Sequence, residues 1–135
     1  MIDDITTNKS AIIRRCLARV HEELGGDLSR LDDFTTQDAI VLNLLRSCEA
    51  SIDLAMHQVA KRKLGIPQSS RDAFHLLESA RLLSPDTAES MRHMVGFRNI
   101  AVHSYQEIQR PILEAILSRH LADFTRFLEE LTRKV

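Results

Sequence analysis

The sequence predicts an all-α fold, an antiparallel bundle of four main helices plus one short helix. Apolar residues recur at helical spacing between turn signals at Gly25-Gly26, Gly65-Ile66-Pro67, Ser84-Pro85 and Arg110-Pro111. Aromatics make up only 4% of the chain and tryptophan is absent, so the core must be aliphatic, which favours helix packing over a β-sandwich. No repeat or linker divides the chain, and residues 1–135 read as one domain whose core needs no disulfide or metal staple.

The first helix is expected from about Asp4 to Leu24, with Ile5, Ile12, Ile13, Leu17 and Val20 turned inward. The second is expected from about Thr36 to Leu64. Asp38 near its start and Lys61, Arg62 and Lys63 near its end complement the helix dipole. A shorter third helix starts after Ser69 or Ser70, where Ser69 and Asp72 have the spacing of a capping box. Ser84 caps the fourth, with Pro85 in its first turn, and that helix ends near His103. The fifth follows Pro111 to about Arg133, facing Ile112, Ile116, Leu117, Leu121, Phe124, Leu128 and Leu131 into the core.

The net charge of −1 argues against a broad phosphate-binding surface, so any contact with nucleic acid must come from a local patch. Cys16 and Cys48 stand far apart without a CxxC pattern and read as small buried hydrophobes. No signal peptide and no apolar run of spanning length is apparent, so the expected location is the cytoplasm and no membrane contact is expected.

The second helix carries a narrow polar stripe. Asn43, Arg46, Glu49, Asp53 and His57 fall within about 60° of Arg46 on a helical wheel, interrupted by Leu42 and Ala50. Most of the remaining surface is apolar, as in a helix central to its bundle. The stripe is then either a solvated face or the wall of a polar cleft. No Glu-x-x-His motif accompanies Glu49 and Asp53, so a di-iron site is not expected, nor any other metal or cofactor. P-loop, Rossmann and serine-hydrolase motifs are absent as well.

The segment richest in chemistry closes the fourth helix: Gly96-Phe97-Arg98-Asn99-Ile100-Ala101-Val102-His103-Ser104-Tyr105. A bare Arg followed by His after four to six residues has little meaning, and Arg14 and Arg15 both meet it with His21. Only Arg98 is followed by Asn99 and by a tyrosine two residues past the histidine, giving R-N-x-x-x-H-x-Y. This segment resembles the signature of the HEPN domain in the form found in HepT-type toxins. The run RSCEASID, from Arg46 to Asp53, resembles that family's second-helix motif, and GIPQSSRDAF, from Gly65 to Phe74, resembles its connection into the next helix.

On a straight helix, Arg98 and His103 point about 140° apart, whereas Asn99 and His103 share a face. Either the helix end bends, or two chains bring copies together across a two-fold axis. The resemblance implies the second arrangement, a HEPN-like homodimer with its cleft at the interface, alone or within a larger hetero-oligomer. It further implies a ribonuclease toxin acting on tRNA or mRNA and paired with an MntA-like nucleotidyltransferase antitoxin that adds AMP to the motif tyrosine.

RNA carries its own nucleophile, the 2′-OH, so cleavage needs a base, an acid and positive charge at the phosphate, and no metal. Histidine serves as acid or base near neutral pH. The expected catalytic residues are therefore Arg98 and His103. Asn99 is expected to orient His103 or to meet the phosphate, and Arg46, Glu49 and Asp53 to line the cleft and hold Arg98. Tyr105, the one tyrosine in the chain, is the expected modification site. The competing reading is a non-catalytic HEPN module that binds nucleotide or nucleic acid, or scaffolds a nucleotidyltransferase, which the near-neutral charge suits.

Overall fold

The computed structural model describes residues 2–133. Helix α1, Asp4–Leu24, is capped by Asp3, whose carboxylate accepts the Thr6 N–H at 2.8 Å. Gly25 ends it in the left-handed conformation, φ 58°. A 3-10 turn over Leu28–Asp32, with no counterpart in the expected elements, seats Leu31 in the core and leads to α2, Phe34–Lys61. Then follow α3, Ser70–Ser79, and α4, Pro85–His103, capped by Ser69 and Ser84 as expected.

The last rod is interrupted. It comprises α5, Arg110–Ala115, a π turn over Ile116–His120, and α6, Leu121–Arg133. Four long rods and one short helix are thus present among the described residues.

Neighbouring rods run antiparallel, as their cross-links record. Asp3 meets His57 and Lys9 meets Asp53 between α1 and α2, while Thr87 meets Glu130 between α4 and α6. Helix α2 packs against α1, α3 and α4 and is central to the bundle. Its Ile40, Leu44, Leu54, Ala55 and Val59 are fully or almost fully buried, and Phe74 of α3 meets Phe127 of α6 edge to face at 5.6 Å.

Three expectations are corrected. Helix α2 starts at Phe34, because Asp33 rather than a later residue accepts the Thr36 N–H. It stops at Lys61, where Lys63 turns left-handed at φ 56° and the Leu64 N–H reaches back to the Val59 carbonyl. That Schellman closure uses a lysine where glycine is usual, so no sequence signal marks it. Ile5 and Ile112 are not buried but 49% and 52% exposed. Thr6 and Leu113, one position on, take the inward places about 100° round the helix.

Thr6 is turned inward by a buried hydrogen bond, its Oγ1 accepting from the Gln58 side-chain amide of α2 at 2.8 Å. Just above, the Asp3 carboxylate meets His57 at 2.7 Å and Lys61 at 2.9 Å. These contacts, His57 foremost, together with the Thr6 N–H, hold Asp3 well below the usual carboxylate range.

Thr6→Val keeps the shape but leaves the Gln58 amide unpaired, and should cost about 1–3 kcal/mol in urea unfolding. Asp3 supports the fold as the anion, fully so above its unfolded pKa near 3.8 and progressively less as pH falls through its depressed folded value. The melting temperatures of wild type and Asp3→Asn should therefore differ at pH 7 and converge as the pH drops below about 4.

Candidate active site

Helix α4 carries Arg98, Asn99 and His103 of the R-N-x-x-x-H-x-Y motif in its last turn and a half, Tyr105 lies just beyond it, and α2 supplies partners for Arg98 and Tyr105. Arg98 is about three-quarters buried at the α2–α4 contact. Its Nε donates to Glu49 Oε1 at 2.6 Å and its Nη1 donates to Asn99 Oδ1 at 2.9 Å. The Glu49 carboxylate holds the Arg98 pKa above its ordinary value, and Asp53 adds a smaller through-space contribution. Glu49 thus grips one edge of the guanidinium, fixing its plane.

His103 is the last residue of α4. It is exposed, and its ring has no hydrogen-bond partner among the described residues. The α-helix is continuous through His103, so no bend brings it to Arg98, and the two leave the helix about 140° apart. No hydrogen bond joins Asn99 to His103 among the described residues. Asn99 shares a face with the histidine, but its carbonyl oxygen is engaged by Arg98.

The stripe of α2 does form the wall of a groove. Asn43, Arg46, Glu49 and Asp53 line a depression of about 640 Å³ whose other wall is α1. Of these only Glu49 touches Arg98. Asp53 pairs with Lys9 of α1 at 3.1 Å, Asn43 bonds its own helix at the Ala39 carbonyl, and Arg46 stands exposed. Among the described residues, neither Arg46 nor Arg15 across the groove has an ion-pair partner. The groove therefore carries two uncompensated guanidinium groups beside the Glu49–Arg98 pair. His57, at the far end of the stripe, belongs to the Asp3 cap.

Past His103 the chain makes a 3-10 turn, Tyr105–Glu107, and comes back against the start of α2. The Tyr105 hydroxyl donates to Asp38 Oδ1. Both residues line a shallow pocket of about 310 Å³ together with Phe34, Gln37, Val41, Gln106 and Ile108. Burial, then the Asp38 carboxylate, push the Tyr105 phenol up to about 12. The residue remains 40% exposed. Sequence reasoning assigned Asp38 only to the helix dipole. The available signal was its place on the same face as Glu49, about three turns earlier on α2. The cysteines are buried as expected, and burial pushes the Cys48 thiol up to about 12.

Comparison with known proteins bears on this arrangement. Residues 13–131 match the family model described as ribonuclease HepT-like. The chain is 44% identical over 128 residues to the mRNA nuclease HepT of Shewanella oneidensis, covering 95% of this chain and 96% of that protein. It is 28% identical over 105 residues to the tRNA nuclease HepT of Aphanizomenon flos-aquae, covering 75% and 71%. Among solved structures, a tri-AMPylated Shewanella oneidensis HEPN toxin in complex with MNT antitoxin superposes with a TM-score of 0.92 at 44% identity, over 98% of this chain and 99% of that one. A toxin–antitoxin crystal structure with AMP-PNP also gives 0.92, at 43% identity over 97% and 99%.

Glu49 is 42% exposed, so its ion pair with Arg98 contributes at most about 1 kcal/mol to folding. Its larger effect is on orientation. Glu49→Ala should melt within a few degrees of wild type yet cleave RNA about ten- to a hundredfold more slowly. Unchanged cleavage would remove Glu49 from the site.

Proposed function

This chain belongs to the ribonuclease HepT-like family, and from that premise we propose that it is the toxin of a toxin–antitoxin pair, an endoribonuclease that needs no metal. The observation that carries the reading is the division of labour along α4. Arg98 is locked in place by Glu49 and Asn99, while His103 is exposed with a ring that makes no hydrogen bond among the described residues. A fixed cation and an unengaged imidazole are the two groups that cleavage by the RNA 2′-OH requires.

One chain does not supply both to the same phosphate, because α4 points them apart. Two copies related by a two-fold axis would face one chain's Arg98 and His103 toward the other's. The α4 surface suits such a partner: Ile100 and Val102, beside His103, are 42% and 49% exposed. In the paired cleft one His103 takes the 2′-OH proton, the other protonates the departing 5′-oxygen, and Arg98 neutralises the crowded phosphate. The products are a 2′,3′-cyclic phosphate and a 5′-OH. Arg46 and Arg15 offer charge to flanking phosphates in the α1–α2 groove, which is how a chain of net charge −1 can hold RNA locally.

The partner that restrains this activity is an MntA-like nucleotidyltransferase, the class seen with the related toxins, and Tyr105 is the residue it modifies. AMP on Tyr105, two residues past His103, would bring bulk and a negative phosphate into the space the substrate phosphate needs. The site of action is the cytoplasm, where RNA and ATP are available. No helix among the described residues is long and apolar enough to cross a membrane.

Purified protein incubated with RNA in EDTA should leave cyclic-phosphate ends, and His103→Ala should reduce cleavage by at least about a hundredfold. Equal cleavage by both proteins, 5′-phosphate ends or a strict divalent-ion requirement would each overturn the mechanism.

A further inference from the structure

The contact between Tyr105 and Asp38 is more specific than packing requires. Tyr105 lies on the 3-10 turn after α4, and Asp38 lies near the start of α2, so two separate elements are brought together to join one phenol to one carboxylate. Among the residues lining their pocket, these are the two titratable groups, so no cation competes for the carboxylate. The remaining lining consists of Phe34, Gln37, Val41, Gln106 and Ile108. Tyr105 is nonetheless 40% exposed as a residue, so a second protein can approach it.

We propose that Asp38 is the general base for nucleotidyl transfer onto Tyr105, so that the protein supplies the base for its own modification. This rests on the reading of Tyr105 as the acceptor. The Tyr105 oxygen attacks the α-phosphorus of a nucleoside triphosphate held by the nucleotidyltransferase. The new bond is oxygen to phosphorus, the bond that breaks joins the α-phosphorus to the bridging oxygen, and pyrophosphate leaves with that electron pair. The phenolic proton passes to Asp38 Oδ1, which already accepts it as a hydrogen bond, and then to solvent.

A base is needed here. With the phenol pushed up to about 12, phenolate is scarce at neutral pH, and the proton must leave as the new bond forms. The acceptor must also sit within hydrogen-bond reach of that proton, as Asp38 does. Asp38 lies outside the Arg98 and His103 machinery, so its replacement leaves RNA cleavage in place.

The test uses Asp38→Asn, Asp38→Glu, Tyr105→Phe and wild type, each incubated with the MNT antitoxin of the Shewanella oneidensis relative, magnesium and ATP. Loss of unmodified protein is followed by intact mass. Asp38→Asn should react about a hundredfold more slowly than wild type at pH 7 while melting normally and cleaving RNA. Asp38→Glu should recover part of the rate. Without a base, reaction proceeds through phenolate, whose fraction grows about tenfold per pH unit below its pKa. The gap between wild type and Asp38→Asn should therefore narrow from pH 7 to pH 9. Comparing the two proteins cancels the pH dependence of the transferase itself.

Asp38→Asn modified at the wild-type rate or faster, or a deficit that stays constant with pH, would overturn the base while leaving Tyr105 as the acceptor. Wild type that gains no mass, or Tyr105→Phe that gains it, would instead overturn the acceptor reading and the base with it.

Discussion

Helix α2 is enclosed by α1, α3 and α4, and a polar group on an enclosed helix must find a partner on a neighbour or on its own backbone. Its buried polar groups meet that constraint one by one, and several of its exposed ones pair as well, Arg46 excepted. Ser47 and Ser51 bond back to the carbonyls of Asn43 and Ser47, keeping their hydroxyls within the helix. Gln58 bonds Thr6 of α1, and His57 takes the Asp3 cap. Toward α4, Glu49 takes Arg98 and Asp38 takes Tyr105. The contacts to α1 lock α2 to its hairpin partner, and the contacts to α4 and the turn beyond it hold two of the proposed functional side chains. One requirement thus stabilises the bundle at one end of α2 and arranges chemistry at the other.

The helices were largely legible because their limits are set by local chemistry. Ser69, Ser84 and Gly25 act through their own side chains or their own freedom at positive φ, and each stands where the sequence places it. The end of α2 was not legible, since a lysine adopts the left-handed turn usually reserved for glycine. The π turn within the last rod likewise carries no residue that announces it. Burial was misjudged at Ile5 and Ile112, because hydrophobicity alone does not distinguish the inward position from its neighbour. At α1 the choice is made by the Gln58 amide, which belongs to a different helix.

The motif was legible as a string, but its internal geometry was not. Spacing shows that Asn99 and His103 share a face, and the asparagine was expected to orient the histidine or to meet the phosphate. In the fold its carbonyl oxygen is engaged by Arg98, the adjacent residue, whose guanidinium folds back along the helix. The polar stripe shows the same limit. A wheel groups Arg46, Glu49 and Asp53, but their partners depend on what α1 and α4 present opposite them: Arg98 for Glu49, Lys9 for Asp53 and solvent for Arg46. The Asp38–Tyr105 contact lies furthest from sequence reasoning, because it joins residues that no local pattern relates.

These contacts also explain why restraint of such an activity would target a tyrosine rather than the catalytic pair. Arg98 is engaged on two sides and offers no nucleophile, and modifying His103 would require a group aimed into the cleft itself. Tyr105 lies on the turn just past His103, which packs back against α2, and the residue is partly exposed with its hydroxyl held by Asp38. Tyr105 is held by Asp38 and not by the Arg98–Glu49 pair, and it remains partly exposed. On the proposed reading, a phosphate attached there would add negative charge two residues past His103 without replacing the Arg98–Glu49 pair. Activity and restraint can then share one helix end, because the residue proposed for modification is held by a different part of α2 from the residue proposed to bind the phosphate.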